Sequence, residues 1–222
     1  MCGRMANTLP VDAMARLFKA VPGNDVPDGE RFNICPTESL PVCISTEGQR
    51  QLRAMRWGFV PTWYESPTDG PLLINARSET VAEKPAFREA IRARRCLIPA
   101  DGFYEWHREG EAKLPFYVSR RDGEPLVFGG LWQNWERGGE LLTTCAIVTV
   151  EAGPALAPIH HREPLVLEKE DWAKWLGEEG RGAALLMKPR PEGILQAWRV
   201  GTQVNSNRAS GPGLRAPLAD RA

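Results

Sequence analysis

The chain has 222 residues, and its 28 Lys and Arg residues balance 28 Asp and Glu residues. A chain of this length buries about 70% of its unfolded surface in one domain, so it needs neither a disulfide nor a metal for stability. The zero net charge excludes a global field that draws the protein to nucleic acid or to membranes. A nucleic-acid site therefore has to be a local patch.

No segment approaches 18 consecutive apolar residues, and the first ten residues lack the basic-then-apolar order of a signal peptide. We therefore expect a cytoplasmic protein without a membrane anchor. The five cysteines are odd in number, scattered and without a C-x-x-C pair, which argues against a zinc ribbon or a disulfide framework. Four of them are expected to be small buried hydrophobic residues, namely Cys35, Cys43, Cys96 and Cys145.

The hydrophobic pattern predicts short helices and strands in the following order. Residues 10–21 have apolar side chains at helical spacing, as do residues 84–95, where Pro85 suits a first turn, and residues 168–177, which end at Gly177. The other apolar segments are short runs separated by Gly, Pro, Asp and Asn at intervals of about ten residues, which is typical of antiparallel strands. These runs are 52–60, 71–75, 95–100, 102–107, 114–119, 126–132, 141–150 and 163–168.

This order of elements predicts a single α+β domain with a largely antiparallel, barrel-like β-sheet and a few short helices. In our interpretation residues 2–207 form that domain. The last residues, 208–222, are small, polar and rich in Pro and Gly, so we expect them to be a disordered C-terminal tail.

The chain opens with "MCGR", so a cysteine follows the initiator methionine. If Met1 stays in place, Cys2 is one thiol among five and its nitrogen is an unreactive amide. If Met1 is removed, the same residue offers an α-amine and a thiol, a pair that can condense with an aldehyde in two steps. These four residues alone leave both possibilities open.

The strand-like segment "LLINARSET" carries three polar side chains on one side of an extended chain, those of Asn75, Arg77 and Glu79. A guanidinium and an amide so placed suit phosphate binding. Alternatively, Glu79 simply pairs with Arg77. The segment alone does not decide between a binding role and a structural one.

In "GFYEWH", Glu105 lies between two aromatic residues. A carboxylate desolvated by aromatic neighbours has a raised pKa, which suits it to proton transfer near neutral pH. The structural alternative is a glutamate on the solvent face of a strand. Trp106 suits either packing in the core or stacking on a base.

The segment "APIHHREP" contains two of only three histidines, His160 and His161. They point in opposite directions if the chain is extended, so at most one faces a given pocket. No H-x-x-x-H pattern and no nearby cysteine accompany them, so we expect no metal and no cofactor. General acid–base catalysis is the functional alternative to a structural role.

The segment "RWGFVPTW" places Arg56 among several aromatic residues that include Trp57, Phe59 and Trp63. A basic and aromatic surface can stack unpaired bases and follow phosphates. A buried hydrophobic hairpin is the alternative interpretation.

Each motif is weak alone, but their order along the chain is specific. The segments "MCGR", "RFNICPTE", "RWGFVPTW", "NARSET", "CLIPADGFYEW" and "IHHREP", with Thr149 before the last of them, resemble those of the SOS-response-associated peptidase family. The resemblance spans residues 2–207. Members of that family are abasic-site processing proteins of bacteria and their eukaryotic relatives, and they crosslink to damaged single-stranded DNA.

The resemblance implies a role for each matching position. Removal of Met1 would free Cys2, which would form a thiazolidine with an abasic site in single-stranded DNA and shield the lesion during replication. Autoproteolysis and weak lyase activity are further implied activities, and we expect a monomer. The implied active-site residues are Cys2, Asn75, Glu105 and His160. The implied DNA-contacting residues are Arg4, Arg77, Trp63, Trp106 and Thr149, of which the arginines would hold phosphates that flank the lesion.

The chain departs from the family pattern at two positions. Glu163 stands where the family usually has methionine, and Val150 stands where it usually has a second threonine after Thr149. The carboxylate of Glu163 adds a charge near the expected pocket. We expect the extra carboxylate to affect local pKa values more than the class of reaction.

Three other functions stay open from the sequence. Amidotransferases with an N-terminal cysteine also begin "MCG", but we expect them to carry a second domain that uses ammonia, and this chain shows none. A peptidase that cuts other peptides would use Cys2, Glu105 and His160. A noncatalytic single-strand binding module would retain DNA without a covalent product.

Overall fold

The computed structural model describes residues 2–218, and strands are the main regular structure in this part of the chain. Residue 1 and residues 219–222 lie outside the described residues. The strands are β1 (Met5–Asn7), β2 (Val21–Pro22), β3 (Arg31–Ile34), β4 (Ser39–Thr46), β5 (Gln49–Trp57), β6 (Asn75–Arg77), β7 (Arg95–Ala100), β8 (Gly102–Glu109), β9 (Ala112–Arg120), β10 (Leu126–Arg137), β11 (Glu140–Glu151), β12 (Arg162–Pro164) and β13 (Leu195–Arg199).

Helices are few and short. The α-helices are α1 (Val11–Phe18), α2 (Arg88–Ala93) and α3 (Trp172–Leu176), and single 3-10 turns occur at Lys169–Asp171, Ala183–Leu186, Thr202–Asn205 and Pro212–Arg215. Within residues 2–218, no helix has the length and apolar character needed to cross a membrane.

The strands form two sheets. One has the order β13-β9-β8-β1-β3, and the other has the order β12-β11-β10-β7-β4-β5-β2, with β6 beside β11. Because β5 also pairs in parallel with β11, the strands β11, β10, β7, β4 and β5 close into a five-stranded barrel. Most neighbouring strands are antiparallel. The predicted α+β class, with one domain and a barrel-like, largely antiparallel sheet, is confirmed.

The long hairpin of β10 and β11 forms one side of the barrel. Its turn contains Gly138 and Gly139 with φ of 56° and 83°, the left-handed backbone that a two-residue hairpin turn requires. Inward-facing apolar side chains of the barrel pack into one buried cluster that includes Trp57, Phe128 and Ile147. All five cysteines are buried and free, which confirms the packing role expected for four of them.

All three predicted helices are present. In α1 the buried side chains are Met14 and Phe18, four residues apart, so the predicted apolar face packs on the core. Helix α3 ends at Gly177 with φ of 87°, as predicted. Helix α2 begins only at Arg88, so Pro85 precedes it in a turn and does not occupy its first turn.

The C-terminal segment differs from the expectation of a disordered tail. Residues 208–218 pack on the sheet β13-β9-β8-β1-β3, where Leu214 is only 5% exposed. Trp198 donates its indole N–H to the carbonyl oxygen of Arg215 at 2.9 Å, and the Arg215 side chain pairs with Asp101 at 3.0 Å. Composition alone missed this because one buried leucine and one ion pair anchor an otherwise polar segment. Residues 219–222 of the expected tail lie outside the described residues.

Candidate active site

Strand pairing brings the four implied active-site residues into one region. Cys2 precedes β1, and Glu105 lies on β8, which pairs with β1. Asn75 begins β6 and His160 precedes β12, and both of these strands pair with β11. A hydrogen bond connects Asn75 with Cys2, and the charge of Glu105 acts on both Cys2 and His160. The structure therefore gathers residues from four distant segments of the chain.

Cys2 is fully buried in the main apolar cluster. Its backbone carbonyl oxygen accepts a 2.9 Å hydrogen bond from Nδ2 of Asn75. The other amide atom of Asn75, Oδ1, is buried without a hydrogen-bond partner, which is costly unless something else supplies a donor. Burial and, to a smaller extent, the Glu105 carboxylate raise the pKa of the Cys2 thiol. The thiol is therefore protonated at neutral pH.

Glu105 is a buried carboxylate, only 3% exposed, on a strand that is buried at this end. Its Oε1 accepts a 3.2 Å hydrogen bond from the backbone N–H of Trp106. The alternative of a solvent-facing glutamate is therefore wrong. A buried carboxylate beside a thiol is placed to accept or return a proton.

His160 is half-buried at the end of the turns that connect β11 with β12. The backbone N–H of Arg162 donates a 3.0 Å hydrogen bond to its Nδ1, a contact that favours the neutral tautomer with its proton on Nε2. Burial lowers the pKa of His160, and the nearby charge of Glu105 only partly offsets this. The ring is therefore neutral at neutral pH and has an N–H to donate.

The two adjacent histidines do not point in opposite directions. The rings of His160 and His161 stack with their centroids 4.3 Å apart and their planes at 28°. The reason is that the chain is turned here, with the N–H of His160 bonded to the carbonyl of Leu156, and is not extended. His161 is the exposed member of the pair.

Arg4 and Trp106 form a cationic and aromatic pair beside the site. The Arg4 guanidinium lies 5.8 Å from the centre of the Trp106 ring, a cation–π distance. Arg4 is 9% exposed, and its N–H groups donate to Asn33, Val204 and Asn207. Trp106 is half-buried against a small aromatic cluster. The Trp106 side chain is therefore partly packed in the core and partly exposed to solvent.

Arg77, at the end of β6, and Glu79, in the turn that follows, do not form the alternative ion pair. Glu79 pairs with Arg162 at 2.6 and 3.0 Å, and Arg77 is exposed. The pairing with Arg162 holds the pKa of Glu79 below its usual range. Thr149 is fully buried, and its carbonyl oxygen accepts a 2.6 Å hydrogen bond from Arg162. Thr149 therefore lies in the interior, bonded to Arg162, whereas Arg77 lies at the surface.

The segment 56–63 is mostly core. Trp57 and Phe59 are at most 2% exposed, and the Arg56 side chain turns back to donate to the carbonyl of Gly58 at 2.8 Å. Trp63 differs, because it is 52% exposed and contacts only Tyr64 among aromatic rings of the described residues. Of the aromatic residues of this segment, Trp63 is the one available to a ligand.

Glu163 anchors the loop that carries His160. Its side chain is 2% exposed, and Oε2 accepts the backbone N–H of Gly153 at 2.9 Å, while Oε1 accepts that of Arg190 at 3.4 Å. Burial raises the pKa of Glu163, and the two N–H donors partly offset the rise. The family's usual methionine cannot make these two bonds.

Sequence reasoning missed several residues that build the site. Arg162 belongs to the "IHHREP" motif, but nothing local signals its contacts with Glu79 and Thr149. Asn33 lies in the segment "RFNICPTE", whose resemblance to the family implies no role for the asparagine, and Asn207 lies in a polar segment to which the sequence assigns no role. Their contacts with Arg4 join positions 29 and 203 residues apart, and a single sequence shows no such pairing.

The described residues contain no group of three or more His, Cys, Asp and Glu side chains arranged to hold a metal ion. What they do contain is a buried cysteine at the start of the fold with an amide, a carboxylate and a neutral imidazole around it. Fold and site together define a small β-barrel protein with a candidate cysteine nucleophile near its N-terminus.

The chain belongs to the SOS response associated peptidase family, whose model matches residues 1–207. This confirms the resemblance seen in the sequence. The chain is 32% identical to the abasic site processing protein YoqW of Bacillus subtilis, over 96% of this chain and 98% of that protein. Identity to the abasic site processing protein YedK of Escherichia coli is 34%, over 82% of each chain. Identity to the abasic site processing protein HMCES of Xenopus tropicalis is 30%, over 98% of this chain and 78% of that protein.

Solved structures share the fold over nearly its whole length. A protein from Bacteroides thetaiotaomicron superposes with a TM-score of 0.87 at 25% identity, covering 98% of this chain and all of that chain. A phage-related protein from Bordetella bronchiseptica gives a TM-score of 0.69 at 28% identity, covering 90% and 94% of the two chains.

Proposed function

We propose that this protein processes abasic sites in single-stranded DNA by forming a covalent thiazolidine between Cys2 and the sugar aldehyde. The observation that carries the proposal is the convergence of Asn75, Glu105 and His160 on a buried Cys2. The names of its relatives as abasic site processing proteins support the choice of substrate. By this proposal the protein acts in the cytoplasm and associates with the nucleoid when bound to damaged DNA.

The reaction requires removal of Met1, which lies outside the described residues, so that the nitrogen of Cys2 becomes an α-amine. An α-amine has an ordinary pKa of about 7.7–8.0, so on the order of a quarter is neutral near pH 7.4. The thiol, in contrast, has a raised pKa and is protonated. The amine is therefore the first nucleophile and the sulfur the second.

The bond changes follow from this order. The amine attacks the C1′ carbon of the ring-opened sugar, and the resulting carbinolamine loses water to give an imine. The S–H group then adds across the C=N bond, so that a C–S bond forms and the proton passes to nitrogen. Both nucleophiles belong to one residue, so ring closure gains the large effective molarity of an intramolecular step.

Three side chains assist these steps. Glu105 accepts the thiol proton and delivers a proton to nitrogen, since its charge acts directly on Cys2. His160, neutral with its proton on Nε2, donates to the sugar oxygen during ring opening. Asn75 holds the Cys2 carbonyl and offers its unpartnered Oδ1 to the α-amine.

The strand is held through its backbone. Arg4 and Arg77 contact phosphates on either side of the lesion, and the exposed ring of Trp63 and the half-buried ring of Trp106 stack on neighbouring bases. Thr149 supports this surface from below through Arg162. An abasic sugar has no base to read, so we expect little sequence preference.

The free aldehyde makes the C–H bond on the neighbouring carbon acidic, and this acidity drives β-elimination. Trapping the aldehyde removes it, so the adduct protects the strand from breakage. The same imine gives a weak lyase reaction when ring closure fails. The Cys2 thiol with Glu105 and His160 also suits self-cleavage of the Met1–Cys2 bond, which would account for the family name. No cofactor takes part in any of these steps, and a monomer suffices.

The test is a denaturing gel of protein mixed with an oligonucleotide that carries one abasic site. A slower band that survives denaturation is expected with single-stranded DNA at neutral pH, and its absence would falsify crosslinking. Cys2→Ser keeps the amine and should give only a weak, reversible adduct. Cys35→Ser is the matched control and should crosslink like the wild type. DNA retention by Cys2→Ala without any covalent product in the wild type would indicate a binding module.

Two further assays distinguish this reaction from those of an amidotransferase and a general peptidase. Release of ammonia from glutamine would indicate an amidotransferase, and digestion of unrelated peptides would indicate a general peptidase. Neither is expected, because the cluster around Cys2 is explained by an aldehyde substrate and by cleavage of the chain's own first bond.

A further inference from the structure

The guanidinium of Arg4 is held entirely by acceptors that carry no charge. Nη1 donates to Oδ1 of Asn33 at 2.7 Å and to the carbonyl oxygen of Val204 at 2.6 Å, and Nη2 donates to Oδ1 of Asn207 at 2.7 Å. We call Asn33, Val204 and Asn207 the neutral clamp. Three of the five N–H groups of Arg4 are thereby committed, and the orientation of its plane is fixed.

A neutral clamp is notable because Arg4 is only 9% exposed. Among residues 2–218 Arg4 forms no ion pair with a carboxylate. Buried charges are usually paired, because desolvating an unpaired charge is costly. Several other arginines with little-exposed side chains have carboxylate partners: Arg120 has Asp122 and Glu168, Arg162 has Glu79, and Arg190 has Asp171. Arg95 is an exception, because its N–H groups donate to the backbone carbonyl oxygens of Ile91, Arg92 and Trp175.

Two of the three clamp residues, Val204 and Asn207, lie in the C-terminal segment 204–209, and the third, Asn33, lies on β3. Nδ2 of Asn33 donates to the carbonyl oxygens of Ser206 at 3.0 Å and Ala209 at 2.8 Å, which fixes this segment against β3. The indole N–H of Trp106 donates to Oδ1 of Asn205 at 2.7 Å. One short segment therefore orients both the cation and the aromatic ring beside it.

We propose that Asn207 is a positioning residue for DNA capture, which orients Arg4 without neutralising it, so that the full charge is available to a DNA phosphate. The proposal rests on the proposed function, since it assigns the anion to the strand that carries the lesion. An aspartate at position 207 would make the same hydrogen bond but would supply the missing countercharge. Stability would then rise while DNA affinity falls.

The test compares Asn207→Asp with Asn207→Ala and with Asn24→Asp. Asn24 is an exposed residue in the turn after β2, so its change alters the net charge equally and away from the clamp. The assays are fluorescence anisotropy with a lesion-free single-stranded oligonucleotide over a range of salt concentrations, and thermal unfolding without DNA. A lesion-free strand has no aldehyde, so the readout is noncovalent binding alone.

For Asn207→Asp we expect Kd to rise about tenfold, and the slope of log K against log salt to shrink by about 0.7, the value for one lost phosphate contact on a single strand. Its Tm should rise by about 2–4 °C because Arg4 gains a partner. Asn207→Ala should weaken binding less and keep the salt slope, since the charge remains. Asn24→Asp should match the wild type in slope and Tm.

The inference is overturned if wild-type protein binds the strand and Asn207→Asp binds it with the same Kd and salt slope. It is also overturned if the Tm of Asn207→Asp is equal to or lower than that of Asn24→Asp. A carboxylate at position 207 would then not stabilise Arg4, and the charge of Arg4 would already be compensated. Failure of the wild type to bind DNA at all would contradict the proposed function, and the Tm comparison would still decide whether the clamp leaves the charge uncompensated.

Discussion

The side-chain nitrogen Nδ2 of Asn75 donates a 2.9 Å hydrogen bond to the carbonyl oxygen of Cys2. This bond joins the start of the fold to the edge of β11, where β6 pairs in parallel. The bond fixes the backbone of Cys2. The nitrogen and sulfur of Cys2 take no part in the bond, but both atoms extend from the backbone that it fixes. The positioning of both nucleophiles therefore depends in part on this one amide.

Replacing Asn75 is expected to slow crosslinking without weakening the capture of DNA. Asn75→Ala should lower the single-turnover rate by about 10–100-fold, because the α-amine loses its fixed orientation. Asn75→Asp should be no better, since its carboxylate presents an acceptor to the Cys2 carbonyl. Gel-based rates with an abasic oligonucleotide measure the effect. Asn134→Ala, at an exposed asparagine of β10, is the control, and an Asn75→Ala rate within twofold of it would contradict the assigned role.

The pH dependence of crosslinking near neutral pH should report the α-amine and not the His160 ring. The rate is expected to rise about tenfold per pH unit below the ordinary α-amine pKa of about 7.7–8.0 and to level off above it. Burial lowers the pKa of His160 below its ordinary value, so we expect its ring to add no break near pH 6.5. His160→Gln should lower the whole profile without shifting it. A break near pH 6.5 that His160→Gln removes would show an ordinary imidazole pKa and contradict this account.

Glu163 should make the fold less stable as pH rises. Burial raises its pKa in the folded state, so its stabilising contribution is fully present below the ordinary glutamate pKa and is lost as pH rises through the raised value. Glu163→Gln keeps an acceptor for Gly153 but cannot ionise. The fall in Tm from acidic to neutral pH should therefore be smaller in this variant. Glu170→Gln, an exposed change, should follow the wild-type curve, and identical curves for all three proteins would refute the prediction.

The C-terminal segment should contribute to stability as part of the core. Leu214→Ala removes a side chain that is 5% exposed, and such truncations cost about 2–5 kcal/mol. For a chain of this length each kcal/mol lowers Tm by about 2–4 °C. Leu218→Ala, at a residue that is 46% exposed, should change Tm by less than about 2 °C. Equal melting curves for the two variants would restore the view of a loose tail.

Much of the fold could be predicted from the sequence, because its elements follow local rules. The helical spacing of Met14 and Phe18, the stop at Gly177 and the alternating runs between turn residues each report the local backbone. The barrel closure could not be predicted in this way. It depends on the parallel pairing of Cys145 with Trp57, 88 positions earlier (145 − 57), and no local pattern encodes that contact.

The candidate site shows the same division. Cys2 and Glu105 could be identified through recurring motifs and through residue types suited to the chemistry. The contact of Glu79 with Arg162 could not, because Arg77 lies two positions from Glu79 and carries the same charge as Arg162. Ion pairs are chosen by the geometry of the folded state, and a sequence offers several partners of the same charge.

Complete burial of Cys2 has a practical consequence for the design of reagents. By the proposed mechanism a fusion partner placed before residue 2 would convert its amine into an amide, and the product would recognise lesions without attaching to them. Such a fusion would serve as a reversible probe for abasic DNA, whereas affinity handles intended to preserve covalent attachment belong elsewhere on the chain.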